Sequence, residues 1–260
     1  MMNILQTSDK VFWHKYIDFY EELLPSEAEN ILEIGVFKGN SIKYWRDKYP
    51  HSNIFGLDII DESSSWPKDN NIKYFKADQS DIKTYQSILK SINNPIDILI
   101  EDGSHDPLHQ KISLIESLPY LADNSIYILE DIHTSHPNHS YYKDRLKKFR
   151  GSPFKNLFNK NNDNILMPLQ CLLLIENLKS NNRIPLDIKD KIDYKNSLFS
   201  YDEIELLFNK IKAIKFYRRN VLPDYCYSCK TNNFDYINLR CNCGTYLYSD
   251  TDSMSVVLQF

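Results

Sequence analysis

No apolar run in this sequence is long enough to cross a bilayer; the longest, around Leu172-Leu173-Leu174-Ile175, is far too short. The stretch Met1 to Lys10 is polar and lacks the apolar core of a secretory leader. These absences lead to the expectation of a cytoplasmic protein with no membrane partner. A dense block of Lys and Arg is missing too. The 31 basic and 35 acidic residues leave a net charge of −4, and the short cluster Lys147, Lys148 and Arg150 reads as a solvated helix face. Nucleic acid is therefore not an expected partner. Glycine is scarce, at six residues, so two of them within five positions stand out. Cysteine is scarce as well, but four of the five cluster near the end of the chain.

What is present is an ordinary globular balance, 42% hydrophobic and 25% charged, which is enough to build a core. Short apolar runs rich in Ile and Leu occur at Asn30–Ile34, Asn53–Leu57, Ile72–Phe75, Ile96–Ile100 and Ser125–Leu129. Such runs suit strands buried on both faces of a parallel sheet. Amphipathic stretches at Ser41–Tyr49, Ile82–Ile92 and Leu108–Leu121 lie between them. The alternation predicts an α/β fold, a doubly wound Rossmann-like sheet. Residues 1–24 read as an N-terminal helical segment; Val11–Leu24 has aromatic residues at near-helical spacing and is expected to pack on the sheet edge, with a lid as a secondary role. Residues 132–199, with a helix at Leu166–Leu178, form a long connection read as a substrate or lid region. Ser200-Tyr201-Asp202-Glu203 has the form of a capping box before a helix at Glu203–Lys212. Strands are expected at Ala213–Leu222 and Met254–Phe260, with residues 223–244 inserted between them. The main domain thus spans 25–222 and 245–260.

Within Glu33-Ile34-Gly35-Val36-Phe37-Lys38-Gly39 a strand runs into a glycine-containing loop and then a helix. Glycine lets the backbone approach a ligand closely, and a helix start offers free N–H donors. Asp58 ends the next strand, where a carboxylate can accept ribose hydroxyls. Asp78 and Gln79 follow the third strand, where polar groups can read an adenine edge. These residues resemble the cofactor half of class I S-adenosylmethionine-dependent methyltransferases. The resemblance implies that Glu33, Gly35 and Gly39 lie along the methionine part of the cofactor, Asp58 on the ribose, and Asp78 and Gln79 near the adenine.

The fourth strand ends in Glu101-Asp102-Gly103-Ser104-His105, and the fifth in Glu130-Asp131. Carboxyl ends of neighbouring parallel strands converge on one rim. Carboxylates gathered there repel one another unless a cation neutralises them, and oxygen ligands select a hard ion such as Mg²⁺. Asp102, Glu130 and Asp131 as ligands, with His105 as base, would equip the rim to deprotonate an attacking hydroxyl. The bland alternative is that the acids cap helices or bind water, with His105 beside a helix N-cap. His109 is expected to be structural, with a helix face shared with His105 as the other option. His133, His136 and His139 read as solvated loop histidines, with contact to substrate or metal as the other option. The elements Asp102-Gly103-Ser104-His105 and Glu130-Asp131 resemble those of the macrolide-sugar O-methyltransferases, the mycinamicin and macrocin type. That resemblance implies Mg²⁺ on Asp102, Glu130 and Asp131, His105 as general base, and catalytic roles for His105 and Asp102.

Cys226, Cys229, Cys241 and Cys243 form two close pairs, a pattern suited to tetrahedral Zn²⁺ in a zinc-ribbon-like insertion; free thiols are the alternative. Four thiolates leave no open position, so such a site would be structural, and a contact between copies in a homo-oligomer is a further role open to it. Cys171 reads as an inert core residue. Taken together, the expectation is a Mg²⁺-dependent, S-adenosylmethionine-dependent O-methyltransferase acting on a hydroxyl of a sugar or sugar-like precursor, for a surface polysaccharide or glycosylated metabolite. The alternatives are an N- or phosphate-O-methyltransferase of a small polar metabolite, and a non-catalytic cofactor-binding or zinc-scaffold protein.

Overall fold

Five parallel strands form the centre of the structure, a computed structural model that describes residues 8–136, 139, 165–194, 197–249 and 252–260. They are β1 (Asn30–Ile34), β2 (Asn53–Asp58), β3 (Ile72–Lys76), β4 (Ile96–Glu101) and β5 (Leu121–Leu129). Every residue of β1 is buried, as its unbroken apolar run requires of a strand covered on both faces. Two further strands, β6 (Ala213–Arg218) and β9 (Met254–Gln259), complete a seven-stranded sheet in the order β3-β2-β1-β4-β5-β9-β6, with β9 antiparallel to both neighbours. Between β6 and β9 the cysteine segment forms its own small sheet from β7 (Phe234–Asp235) and β8 (Arg240–Cys241). The doubly wound α/β fold and the position of the insertion are as expected.

Alternation along the strands divides the core. Leu32, Ile34, Leu57, Leu99, Tyr127 and Leu129 face one apolar cluster, which α4 (Ile82–Ile92), α5 (Pro107–Ser117), α6 (Pro168–Ser180) and α7 (Tyr201–Lys210) cover. Ile31, Ile54, Ile98, Ile100, Ile126 and Ile128 face a second cluster, covered by α2 (Tyr16–Glu21) and α3 (Asn40–Lys48). At about 1.5–3 kcal/mol for each large apolar side chain withdrawn from water, these two layers dominate the stability of the fold.

Local chemistry sets the helix starts. The Asp81 carboxylate accepts from the N–H groups of Lys83 and Thr84 at the start of α4. Asp106 does the same for Leu108, with Pro107 in the first turn of α5. The capping box is present: Ser200 Oγ accepts from Glu203 N–H, and Glu203 reaches back to Ser200 N–H. The helix it opens begins at Tyr201, two residues earlier than expected.

Two expectations need correction. Val11–Leu24 is not one helix: α1 (Asp9–Phe12) and α2 are separated by a break in which Lys15 takes a left-handed conformation at φ 60°. The helix expected at Leu166–Leu178 begins two residues later, as α6, and Ile165, Met167, Leu169, Cys171, Leu172 and Ile175 lie in the first core cluster. The basic cluster Lys147, Lys148 and Arg150, and the connection's Pro137 and Pro153, fall outside the described residues.

A candidate active site at the carboxyl ends of the strands

A cavity of about 790 Å³ opens across the carboxyl ends of the strands. Because the sheet order runs from β3 through β1 and β4 to β5 and β9, the cavity has two differently built halves. One is lined by Gly35, Leu57, Asp58, Ile59, Ile60, Ala77, Asp78 and Gln79, which end or follow β1 to β3. The other is lined by Asp9, Lys10, Trp13, His14, Asp131, Tyr227 and Thr245. Asp102, Gly103, Ser104 and His105, after β4, lie between them in the strand order.

Close packing of backbones shapes the first half. A side chain at Gly35 would come within 1.9 Å of the Asp102 carbonyl oxygen, and Gly35 has φ +92°, so the turn after β1 can press against the turn after β4 only with glycine there. A side chain at Gly103 would meet Gln79 Oε1 at 2.3 Å. Gln79 braces this loop: its Oε1 accepts from Ser104 N–H at 3.1 Å, while its Nε2 donates to Ser113 Oγ and to Glu101. Asp58 Oδ2 accepts from the N–H groups of Val36 and Phe37, both at 2.8 Å, and so ties β2 to the β1 loop. Hydrogen bonds from Ser80 hold the Asp78 carboxyl below its ordinary value. Phe37, Ile59 and Ile60 flank the cavity with exposed side chains, Phe37 at 70%.

Glu33 and Gly39, expected beside the cofactor, do not line the cavity. Glu33 is fully buried; its carboxylate accepts from Trp45 Nε1 at 3.2 Å and lies 3.4 Å from Lys10 Nζ. Gly39 is the residue before α3 and packs on Trp66 and Pro67.

The acidic rim is present, and its internal cation is a side chain that the sequence reading missed. Lys10, with 7% of its side chain exposed, places Nζ 2.6 Å from Glu130 Oε1 and 2.8 Å from Asp102 Oδ2. Burial alone would lower the Lys10 pKa, but Asp102, Glu130 and Glu33 outweigh it and hold it well above the ordinary value. No local motif marks Lys10, because its partners lie 23 to 120 positions away. Burial, together with neighbouring Asp102, pushes Glu130 well above the usual carboxylate range, and burial raises Asp102.

Asp131 behaves oppositely. Burial would raise its pKa, but His14, His105 and His133 outweigh that and hold its carboxyl below the usual range. Tyr16 donates to its Oδ1 at 2.7 Å. His105 Nε2 is 3.5 Å from Asp131 Oδ2 and 4.0 Å from Asp102 Oδ1. Burial works against the charged imidazole, yet Asp131, Asp102 and Glu101 together leave the His105 pKa above its ordinary value. Its Nδ1 is buried without a hydrogen-bond partner among the described residues. His105 and Asp131 both take left-handed conformations, φ 55° and 51°, so both are held where ordinary backbone preferences would not place them.

Donor atoms of Asp102, His105 and Asp131 lie within 4.8 Å of one another; the two carboxylates suit a hard divalent cation, with the imidazole beside them. Glu130 is outside that set, engaged by Lys10. His109 and His105 do not share a helix face: α5 begins at Pro107, and the His109 ring bonds Ser104 Oγ at 2.7 Å. His133 is not a solvated loop residue but is buried, with Nδ1 accepting from Met254 N–H. Its pKa falls to about 4 through burial. His14 and Tyr16, which complete the surroundings of Asp131, were not singled out by the sequence because only the break between α1 and α2 brings them there.

No family model matches the sequence. The mycinamicin VI 2''-O-methyltransferase of Micromonospora griseorubida is 32% identical over 118 residues, which are 43% of this chain and 29% of that protein. The 8-demethyl-8-alpha-L-rhamnosyl tetracenomycin-C 2'-O-methyltransferase of Streptomyces olivaceus is 31% identical over 139 residues, 50% of this chain and 36% of that one. The chain therefore spans only about a third of the length of these curated relatives. Among solved structures, the MycE methyltransferase of the mycinamycin pathway, in complex with Mg, SAH and mycinamycin VI, superposes with a TM-score of 0.51 at 21% identity, over 78% of this chain and 46% of that one. The chain is thus similar in sequence to sugar O-methyltransferases, and it shares the class I methyltransferase fold.

Proposed function

We propose that the chain is an S-adenosylmethionine-dependent, Mg²⁺-dependent O-methyltransferase acting on a sugar hydroxyl of a biosynthetic precursor, a surface polysaccharide or glycosylated metabolite. The observation that carries this reading is one cavity joining the Gly35–Asp58–Asp78 half to the Asp102–His105–Asp131 group. The sugar class comes from the relatives, whose names place their methyl groups on 2''- and 2'-oxygens. The first half fits a nucleoside: Asp58 and Asp78 are acceptors for hydroxyl and amine donors, Ile60 and Leu57 offer apolar contact, and Gly35 lets the turn after β1 pack against the turn after β4 beside them. When bound, S-adenosylmethionine would supply an electrophilic methyl group, and Mg²⁺ would orient the acceptor hydroxyl and lower its pKa.

Asp102 and Asp131 would hold the metal. Glu130, the third residue expected to do so, lies outside the set of donor atoms within 4.8 Å and pairs with Lys10, as Asp102 also does. His105 would take the acceptor's proton on Nε2 as the oxygen–carbon bond forms and the carbon–sulfur bond breaks, with Asp131 stabilising the imidazolium. The cysteine tetrad would take a structural Zn²⁺, as a closed four-thiolate site does.

Calorimetry with S-adenosylhomocysteine tests the cofactor half, and transfer of labelled methyl to a panel of rhamnosides, with and without chelator, tests metal and acceptor. His105→Ala and Asp102→Ala should each lower turnover by at least about 100-fold while S-adenosylhomocysteine still binds. Full activity in either variant would sink the mechanism.

A further inference from the structure

The cysteine loop and the acidic rim meet at α1. Sγ of Cys226 lies 3.5 Å from that of Cys243, Sγ of Cys229 lies 3.4 Å from that of Cys241, and all four fall within 4.8 Å. A disulfide needs about 2.05 Å. A tetrahedron of zinc–sulfur bonds of about 2.3 Å has edges of roughly 3.8 Å, which is the spacing these thiols approach. Lys230 and Gly244, each just after a cysteine pair, are left-handed, and their N–H groups reach the carbonyls of Cys226 and Cys241.

This loop grips α1. Phe12 and Trp13 are buried with Cys226, Cys241 and Leu247 in a small apolar cluster separate from the two beneath the sheet. Asp224 N–H donates to the Phe12 carbonyl at 2.9 Å, and the Asp224 carboxylate pairs with Lys15. The Lys230 ammonium sits 4.4 Å from the Phe12 ring, and Tyr227 meets Trp13 edge to face at 5.8 Å. Asp224, Tyr227 and Lys230 are each within two residues of a cysteine. Four residues of helix cannot stand alone. Yet α1 carries Lys10 into the acidic rim, and Tyr227 and Thr245 join it in lining the cavity.

We propose that Zn²⁺ on the four cysteines seats α1 on the catalytic rim and makes the metal loop the outer wall of the acceptor half of the cavity. The term acceptor half rests on the methyltransferase reading; the zinc and the seating do not. Without the ion the loop loses its closure, α1 loses its seat, and Lys10 withdraws from Asp102 and Glu130.

The test uses the full chain. Elemental analysis should find one zinc per chain, and the double variant Cys229→Ser, Cys243→Ser, at two exposed positions, should find none. Amides of Asp9–Trp13 should then exchange hydrogen on the order of tenfold faster, while those of β1 and β4 stay protected. Zinc stripped from the unaltered chain with a thiol reagent gives the same comparison without a substitution, and Tyr227→Ala should loosen α1 with zinc retained. A zinc-free native chain overturns the proposal, as does unchanged exchange at Asp9–Trp13 after zinc loss. If S-adenosylhomocysteine fails to bind while these results hold, the methyltransferase reading falls and the seating stands.

Discussion

Lys10 decides how the acidic rim survives without a metal ion. Its ammonium is the nearest counter-charge to Glu130 and Asp102, and buried carboxylates stripped of their partner are costly. Lys10→Met should therefore lower the stability of the chelated protein by about 3–5 kcal/mol, with millimolar Mg²⁺ recovering much of the loss; a thermal melt with and without the ion reads both. Neutralising the charge beside His105 has a defined sign. Asp131 raises the His105 pKa, so Asp131→Asn should lower it in the metal-free protein, as ring resonances followed against pH would report. Glu101 gives a stability test. Burial raises its pKa to about 7, and its Oε2 has no partner among the described residues. The folded state thus holds the Glu101 proton more tightly than the unfolded one, so stability is greatest below the ordinary carboxylate range and falls as pH rises towards 7. Glu101→Gln should remove that fall, leaving the chelated variant about 1–3 kcal/mol more stable than the native chain at pH 8 by denaturant titration. At this scale the sequence was legible where chemistry is local: Asp102, His105 and Asp131 stand in short motifs at strand ends. Lys10, His14 and Tyr16 were not legible, because what defines them is a partner more than a hundred positions away.

Elements were legible where caps and burial agree. β1 and α4 keep their expected bounds, the first because all its residues are buried, the second because Asp81 caps it and Asn93 ends it in a left-handed turn. Leu121 was misassigned to the preceding helix; it begins β5, and Pro119 interrupts the helix one turn earlier as a short 3₁₀ segment. The N-terminal aromatic run misled for a different reason: its periodicity is genuine, but Phe12 and Tyr16 serve different clusters, and a single straight helix cannot feed both. The turn after β1 is the element least tolerant of change. Gly35→Ala would place a methyl group against the Asp102 carbonyl in a strained backbone, so it should cost about 2–4 kcal/mol and abolish S-adenosylhomocysteine binding, measured by denaturation and calorimetry.

At the scale of the whole molecule the cysteine loop stands apart from the two main cores. Neither large core cluster contains any of the four clustered cysteines, so with millimolar Mg²⁺ standing in for the withdrawn Lys10 at the acidic rim, zinc removal should move the principal thermal transition by only a few degrees, a shift expected for about 1 kcal/mol in a chain of this size. The doubly wound class could be read from the sequence because alternating strands and helices with right-handed crossovers admit few arrangements, whereas the strand order comes from the structure. The two halves of the cavity could not be read, since the wall formed by α1 and the cysteine loop unites segments more than 200 residues apart. One exposed feature bears on how that cavity would announce an occupant. Phe37, Ile59 and Ile60 stand exposed to water at its mouth. A nucleoside that covers them releases ordered water, so its binding should carry a negative heat-capacity change that shrinks in Phe37→Ser, and the enthalpy of binding should steepen with temperature accordingly.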